Sequence, residues 1–220
     1  GHMVSGGWSH SAAVTASGSV WTWGFNAYGQ LGDGTSTNRT EPVPVPGLTE
    51  VVSVAAGGHH TLALKSDGTV WAWGENLAGE LGDGTSQKRT SPVQAVGLSS
   101  VIAIAAGAHH SVALTSDGAV WTWGYQTGRI TPGMVPGLSD ITAISSGGGW
   151  FTLALGSDST VWAWGENIHG QLGDGTTTYR ASPARVSSLT EVRAIAAGVD
   201  CSAALRADGT AWVWGGYGDQ

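Results

Sequence analysis

Apolar and polar residues alternate with a period of two along most of the chain. The stretch 51–100 shows the full pattern: VVSVAAGGHHTLALKSDGTVWAWGENLAGELGDGTSQKRTSPVQAVGLSS. Four short β-prone runs lie within it, "VVSVAA", "TLALKS", "TVWAWG" and "SPVQAV", separated by Gly-rich, Asp-Gly and Pro signals. The 3.6-residue period of an amphipathic helix is missing from the sequence. The pattern therefore predicts four antiparallel strands per unit.

This unit is repeated along the chain. The motif "WxWG" begins at positions 21, 71, 121, 162 and 212, so its spacing is 50, 50, 41 and 50 residues. Four strands at this period are typical of a β-propeller blade. We therefore predict an all-β fold, one propeller domain over 4–220 and a partial ring. The expected units are 4–50, 51–100, 101–140, 141–191 and 192–220, and "GHM" at 1–3 is interpreted as an expression scar.

The paired tryptophans of each motif explain how such blades would stack. Residues two apart on a strand face the same side, so Trp71 and Trp73 are both expected to press on one neighbouring sheet. Each indole buries about 150–250 Å². The same packing role is predicted for the whole set: Trp21, Trp23, Trp71, Trp73, Trp121, Trp123, Trp162, Trp164, Trp212 and Trp214.

Composition narrows the class of partner. The 220 residues contain 36 Gly and 12 Trp, only 11% are charged, and the net charge is −7. Nucleic-acid binders usually carry a basic stripe, so nucleic acid is excluded as an expected partner. A membrane is excluded because the sequence lacks an apolar run of the roughly 20 residues that span a bilayer. The single Cys201 cannot form an internal disulfide.

The unit resembles a known repeat. "AAGGHHTLALKSDGTVWAWGENLAGELGDGTSQKRTSPVQAV" is similar to the repeat of the regulator of chromosome condensation family, in its bacterial form. That resemblance covers the chain after residue 3 and implies a seven-bladed propeller, whereas this chain holds about four and a half units. We expect a fragment of a larger ring, the alternative being a ring of fewer blades. Unpaired blade edges would then favour self-association.

Histidines recur just before the second strand of the first three units. His10, His60 and His110 share one position, where units four and five have Phe151 and Cys201. The family's repeat commonly has His there, which implies a packing residue bonded to the neighbouring backbone. A position that accepts Phe is not an obligatory metal ligand. We therefore predict structural histidines and no metal or cofactor.

The preceding positions vary while the scaffold around them stays constant, which predicts a recognition rim on one face of the propeller. Exposed aromatic residues among acidic groups have the composition of a protein-binding hot spot. Propeller-type β-lactamase inhibitor proteins look similar here, and that likeness implies face-on binding of another protein. The predicted binding residues before the second strands are Trp8, Ser9, His59, His109, Trp150, Phe151 and Asp200. Those after "WxWG" are Phe25, Glu75, Tyr125, Glu166 and Tyr217.

Two further features are interpreted as structural. Asp33, Asp83 and Asp174 of "LGDGT" suit Asx-turns, with Arg39, Arg89 and Arg180 placed to pair with them. Unit three departs from the others, because "YQTGRITPGMVPGL" lacks the "NxxGQLGDGT" stretch. We interpret that shortening as ordinary loop variation.

The leading hypothesis is a non-catalytic module that binds an unidentified protein. The alternative from another class is a metal-dependent or hydrolytic enzyme using His59, His109 and Asp200. A third hypothesis is guanine-nucleotide exchange, an activity of the family's founding member. A fourth is ultraviolet sensing, since "GWSH" resembles the "GWRHT" motif of the plant UV-B photoreceptor, but arginines do not adjoin Trp8 or Trp150. Localisation stays open, with a secreted or cell-surface bacterial protein favoured over a cytoplasmic one.

Overall fold

The computed structural model describes residues 3–216, apart from the side chain of Gln126. Its strands form five antiparallel sheets that follow one another along the chain. The first blade comprises β1 (Val4–Gly6), β2 (His10–Val14), β3 (Val20–Gly24) and β4 (Arg39–Pro44). The second comprises β5 (Val51–Ala56), β6 (His60–Lys65), β7 (Val70–Gly74) and β8 (Arg89–Gln94). The third comprises β9 (Val101–Ala106), β10 (His110–Thr115), β11 (Val120–Gly124) and β12 (Arg129–Met134).

The later blades repeat this plan. The fourth comprises β13 (Ile141–Ser145), β14 (Phe151–Gly156), β15 (Val161–Gly165) and β16 (Arg180–Arg185). The fifth comprises β17 (Val192–Ala197), β18 (Cys201–Arg206) and β19 (Ala211–Gly215), so within the described residues β19 pairs only with β18. A 3₁₀ turn, Tyr125–Thr127, joins β11 to β12. None of the helices in the part of the chain described could cross a membrane. The predicted all-β propeller with blades in a partial ring is confirmed.

The first strands of the blades lie innermost. Strands β1, β5, β9 and β13 line one central cavity of about 130 Å³. The tryptophan pairs of the second, third and fourth blades, and Trp214 of the fifth, pack against the preceding blade, as predicted. Trp21, Trp23 and Trp212 do not belong to the core clusters of the described residues. Trp73 is fully buried in a cluster with Val14, Val20 and Val45 of the first blade, and Trp71 packs against the same cluster while remaining partly exposed. The second tryptophan of each pair is therefore the deeper one.

The glycine that ends each "WxWG" brings two loops together. Gly74 has φ 108°, a conformation that side chains other than glycine's rarely adopt. A Cβ atom at this position would lie 2.5 Å from the carbonyl oxygen of His59. The backbone N–H of Glu75 then donates to that same oxygen at 2.9 Å. The loop after the third strand is thus held against the loop between the first two strands.

Candidate functional site on the propeller face

The two variable loop sets predicted from the sequence are bonded neighbours in the first four blades. The residue after "WxWG" donates its backbone N–H to the carbonyl oxygen of the residue just before the second strand of the same blade. The pairs are Phe25 with Ser9, Glu75 with His59, Tyr125 with His109, and Glu166 with Trp150, at 2.8–3.0 Å. Both sets therefore lie at one end of the blades.

Aromatic side chains from these loops form a continuous group. Trp8 lies edge-on to His59 and His109, with ring centroids 5.3 and 5.5 Å apart. His109 packs edge-on against Trp150 at 5.4 Å. Trp150 meets Tyr125 at 4.9 Å. Each of the first four units thus contributes to one surface, including unit three, which has the shortened loop, and unit four next to it.

The group extends over the first blade. Tyr28 stacks on His59 with ring centroids 4.7 Å apart, and Phe25 lies 6.1 Å from the same ring. Trp8 is 45% exposed and Tyr125 58% exposed, whereas His59 and His109 are half-buried between them. We call seven side chains the face cluster: Trp8, Phe25, Tyr28, His59, His109, Tyr125 and Trp150.

Two buried carboxylates lie beneath His109. Its Nδ1 atom is 3.2 Å from Glu75 Oε2 and 3.5 Å from Glu80 Oε1, and both glutamates are buried. The hydrogen bond with Glu80 raises the pKa of His109 above its ordinary value, against the opposing effect of burial. Burial raises the pKa of Glu75. Burial alone would raise the pKa of Glu80 too, but its hydrogen bond with His109 brings that pKa below the usual range.

His59 has a different environment. Its neighbour at the position equivalent to Glu80 is the neutral Gln30, with Nε2 3.5 Å from His59 Nδ1. Burial and the nearby His109 lower the pKa of His59. The two histidines at the centre of the face cluster therefore differ in charge preference, because one loop residue is Glu in the second unit and Gln in the first.

Glu80 was not identified from the sequence as a neighbour of His109. Glu80 belongs to the loop between β7 and β8, which reaches the next blade and places its side chain under the His109 ring. The signal was "GELGDGT" in unit two where units one and four have "GQLGDGT". Oxygen and nitrogen donors of Glu75, Glu80 and His109 lie within 4.8 Å of one another, a set that could hold a divalent cation. The same geometry suits an imidazolium shared by two carboxylates.

Comparison with known proteins identifies the repeat. The family model of the RCC1-like domain matches residues 2–220. The chain belongs to the RCC1-like domain family. Ultraviolet-B receptor UVR8 of Arabidopsis thaliana is 40% identical over 55 residues, which are 24% of this chain and 12% of that protein. That match is about the length of one blade.

Solved structures resemble this RCC1-like domain over nearly its whole length. Human WBSCR16 has a TM-score of 0.85 and 28% identity, covering 93% of this chain and 57% of the other. Prp20p of Saccharomyces cerevisiae has a TM-score of 0.80 and 24% identity, covering 94% and 56%. The chain thus spans little more than half the length of these two proteins, and the segment that matches the plant receptor covers about an eighth of that receptor.

Several predicted site residues fall outside the face cluster of the RCC1-like domain. Ser9 is exposed, and Glu166 and Asp200 are half-buried. Among residues 3–216, ring contacts and ion pairs do not join these three to the cluster. Tyr217 lies outside the described residues.

The prediction that Phe151 binds a partner is wrong. Its side chain is fully buried and belongs to the core cluster of the fourth and fifth blades, with Leu153 and Leu172. It opens the second strand of its blade, at the position where His10 opens that strand in the first. The side chain at this position points between blades, so Phe151 packs where the first three blades have histidine.

The histidines that open β2, β6 and β10 join successive blades. His10 Nε2 is 2.8 Å from Thr61 Oγ1, whose hydroxyl donates at 2.9 Å to the carbonyl of Gln30. Because the Thr61 hydroxyl proton is used in the bond to Gln30, His10 Nε2 must be the donor in its bond to Thr61. His60 with Ser111 and His110 with Thr152 repeat the bond at 3.0 Å. The prediction of structural histidines is confirmed, and their bonds reach hydroxyl groups of the next blade rather than its backbone.

Proposed function

We propose that this propeller is a non-catalytic module that binds another protein through the face cluster. The observation that carries the proposal is the continuity of seven aromatic and imidazole side chains on one end of the blades, with Trp8 and Tyr125 largely exposed. Rigid aromatic anchors surrounded by polar groups are the usual centres of protein interfaces. Trp8 and Trp150 are the expected anchors.

The buried acids support recognition rather than chemistry. Glu75 and Glu80 favour the protonated form of His109 in the middle of the face, where that form can meet an acidic or carbonyl group of a partner. The enzymatic alternative grouped His109 with Asp200, but those two side chains do not meet in a described contact. Prp20p, which shares the fold, has been studied for its binding to Gsp1p and histones. That likeness supports a protein partner in general. It supports the exchange-factor alternative only to the extent that the two proteins share a fold.

The test compares partner affinity of matched tryptophan variants. The protein is used to isolate its partner from the native source, and the complex is reconstituted from purified components. Trp150→Ala should weaken binding by about 30-fold or more, as loss of a buried anchor does. Trp21→Ala, which removes an exposed tryptophan outside the face cluster, should leave the affinity unchanged.

Circular dichroism and thermal unfolding would verify that both variants keep the fold. Equal affinity of the two variants would contradict the proposal. So would a Trp150→Ala protein that unfolds while its folded fraction binds normally, because Trp150 would then be a core residue. Turnover by the reconstituted complex that depends on His109 would favour the enzymatic alternative.

A further inference from the structure

Three blades send a loop into the next blade and bury a leucine there. In the first blade this loop carries Leu31, and the carbonyl of the preceding Gln30 accepts two hydrogen bonds from the second blade. The donors are Trp73 Nε1 at 2.8 Å and Thr61 Oγ1 at 2.9 Å. The loops of the second and fourth blades repeat this arrangement. The corresponding sets are Glu80 with Trp123 and Ser111, and Gln171 with Trp214 and Ser202.

The third blade has the receiving groups on its neighbour but lacks the loop. Trp164 and Thr152 of the fourth blade stand at the positions of Trp73 and Thr61. Only a short turn follows β11, and no described residue accepts a hydrogen bond from Trp164 Nε1. A cleft of about 280 Å³ lies at this junction instead. Its walls include Thr122, Met134, Val135, Trp164, Tyr179 and Pro183.

Two more groups at the cleft have partners different from those of their equivalents in other blades. Thr22 of the first blade donates its hydroxyl to the loop carbonyl of Leu31 at 2.6 Å, whereas Thr122 donates to Ser111 of its own blade. Arg129 is exposed at the mouth and has no acidic partner among the described residues. Its equivalents pair with an aspartate of the loop; these pairs are Arg39 with Asp33, Arg89 with Asp83, and Arg180 with Asp174.

We propose that this cleft binds a peptide segment of a partner protein in which a leucine is followed closely by an acidic residue. The occupied junctions define the required chemistry. A backbone carbonyl would accept from Trp164 and Thr152, the leucine would fill the apolar floor, and a carboxylate would pair with Arg129. Apart from Gly, these are the features of "QLGDG" in the chain's own loops. The cleft shares no residue with the face cluster, so this site is separate from the proposed face.

The probe is an N-acetylated, C-amidated peptide NAYGQLGDGTS, which copies residues 26–36. It would be titrated into ¹⁵N-labelled protein while the tryptophan indole N–H signals are recorded, with Trp164→Phe assigning the Trp164 signal. A saturable shift of the Trp164 signal is expected, at millimolar affinity because a flexible peptide loses entropy on binding. Signals of Trp73 and Trp123 should stay fixed, since their N–H groups already have acceptors.

Matched changes test each contact. A peptide with Leu replaced by Asp should not bind, and Arg129→Gln should weaken binding about 3- to 10-fold through loss of one charged hydrogen bond. Trp71→Phe, at a tryptophan outside the cleft, should leave the affinity unchanged. The double variant Trp8→Ala/Trp150→Ala should also bind the peptide normally, which separates this site from the proposed face.

A loop graft keeps the test decisive even if a point variant fails to fold. Replacing residues 125–128 by the first-blade sequence 25–38 would fill the cleft from within the chain. The grafted protein should no longer bind the peptide, and its Trp164 indole signal should move toward those of Trp73 and Trp123. The proposal is overturned if the native protein shows no saturable Trp164 shift. Equal binding of the Leu-to-Asp peptide, or unchanged binding by the graft, would overturn it as well.

Discussion

The indole Nε1 of Trp8 donates a hydrogen bond of 2.9 Å to the carbonyl oxygen of Gly148, which joins the first blade to the fourth. The same ring lies edge-on to histidines from the second and third blades. One side chain therefore touches three other blades, above the cavity that their innermost strands enclose. We therefore expect the shape of the face cluster to depend on this bridge.

Replacing Trp8 by Phe should loosen the bridge without removing the ring. The lost hydrogen bond is worth about 0.5–1.5 kcal/mol in the free energy of unfolding, measured by urea denaturation. The NMR signals of His59 and His109 should shift, because the ring that contacts both has changed. Unaltered signals for both histidines would show that Trp8 does not hold the cluster together.

Exchanging Glu80 for Gln should lower the pKa of His109. The Glu80 carboxylate accepts a hydrogen bond from this imidazole and stabilises its charged form, and Gln cannot do so to the same extent. The variant copies Gln30 and Gln171, so the loop itself should fold normally. Histidine titration by NMR would give the pKa directly.

The reciprocal change provides the control. Gln30→Glu would place a carboxylate beside His59, which should raise the pKa of His59 while leaving that of His109 nearly unchanged. If Glu80→Gln leaves the His109 pKa where it is, the raised pKa of His109 is due to Glu75 and not to Glu80. In that case Glu75→Gln should produce the fall instead.

Local patterns and contacts between blades differ in how far the sequence reveals them. Strand positions and the packing of Trp73 followed from the period of two and from the "WxWG" repeat, because those features act within one unit. The Asx-turn of Asp83, with the Thr85 N–H donating to its carboxylate and Arg89 paired to it, is equally local and was predicted. These parts of the fold could be predicted because neighbours in sequence determine them.

The environment of His109 could not be predicted in the same way. Glu80 precedes it by 29 positions, and only the path of a loop into the next blade brings the two together. Phe151 was misplaced for a related reason. Adjacent residues at the start of a strand point to opposite sides, so Trp150 lies on the face while Phe151 lies between blades.

Acid should destabilise the fold through the buried histidines. Burial lowers the pKa of His10 and His110 to about 4 and that of His60 to about 3. Below about pH 6.5 these histidines take up protons in the unfolded chain but stay neutral in the folded chain. Their contribution to the free energy of unfolding is therefore complete above pH 6.5 and falls as the pH drops toward 4. Each histidine contributes a slope of up to about 1.4 kcal/mol per pH unit. Urea denaturation at pH 6 and pH 5 would measure it.

His60→Phe is the matched variant, because the fourth blade has Phe151 at this position. Its overall stability can change with the new packing, but its pH slope should fall by the share of one histidine. A slope equal to that of the unmodified chain would show that His60 is protonated in the folded state.

Truncating Trp73 should cost far more stability than truncating Trp21. Trp73 is fully buried between two blades, and its Nε1 donates to the carbonyl of Gln30. Trp73→Ala would leave a cavity and remove one of the two hydrogen bonds to that carbonyl, at a cost of about 3–5 kcal/mol in the free energy of unfolding. Trp21 is 37% exposed and does not belong to the core clusters of the described residues, so Trp21→Ala should cost less than about 1 kcal/mol. Urea denaturation of the two variants side by side measures the difference, and similar losses for both would mean that the stacking of blades does not depend on the deeper tryptophan.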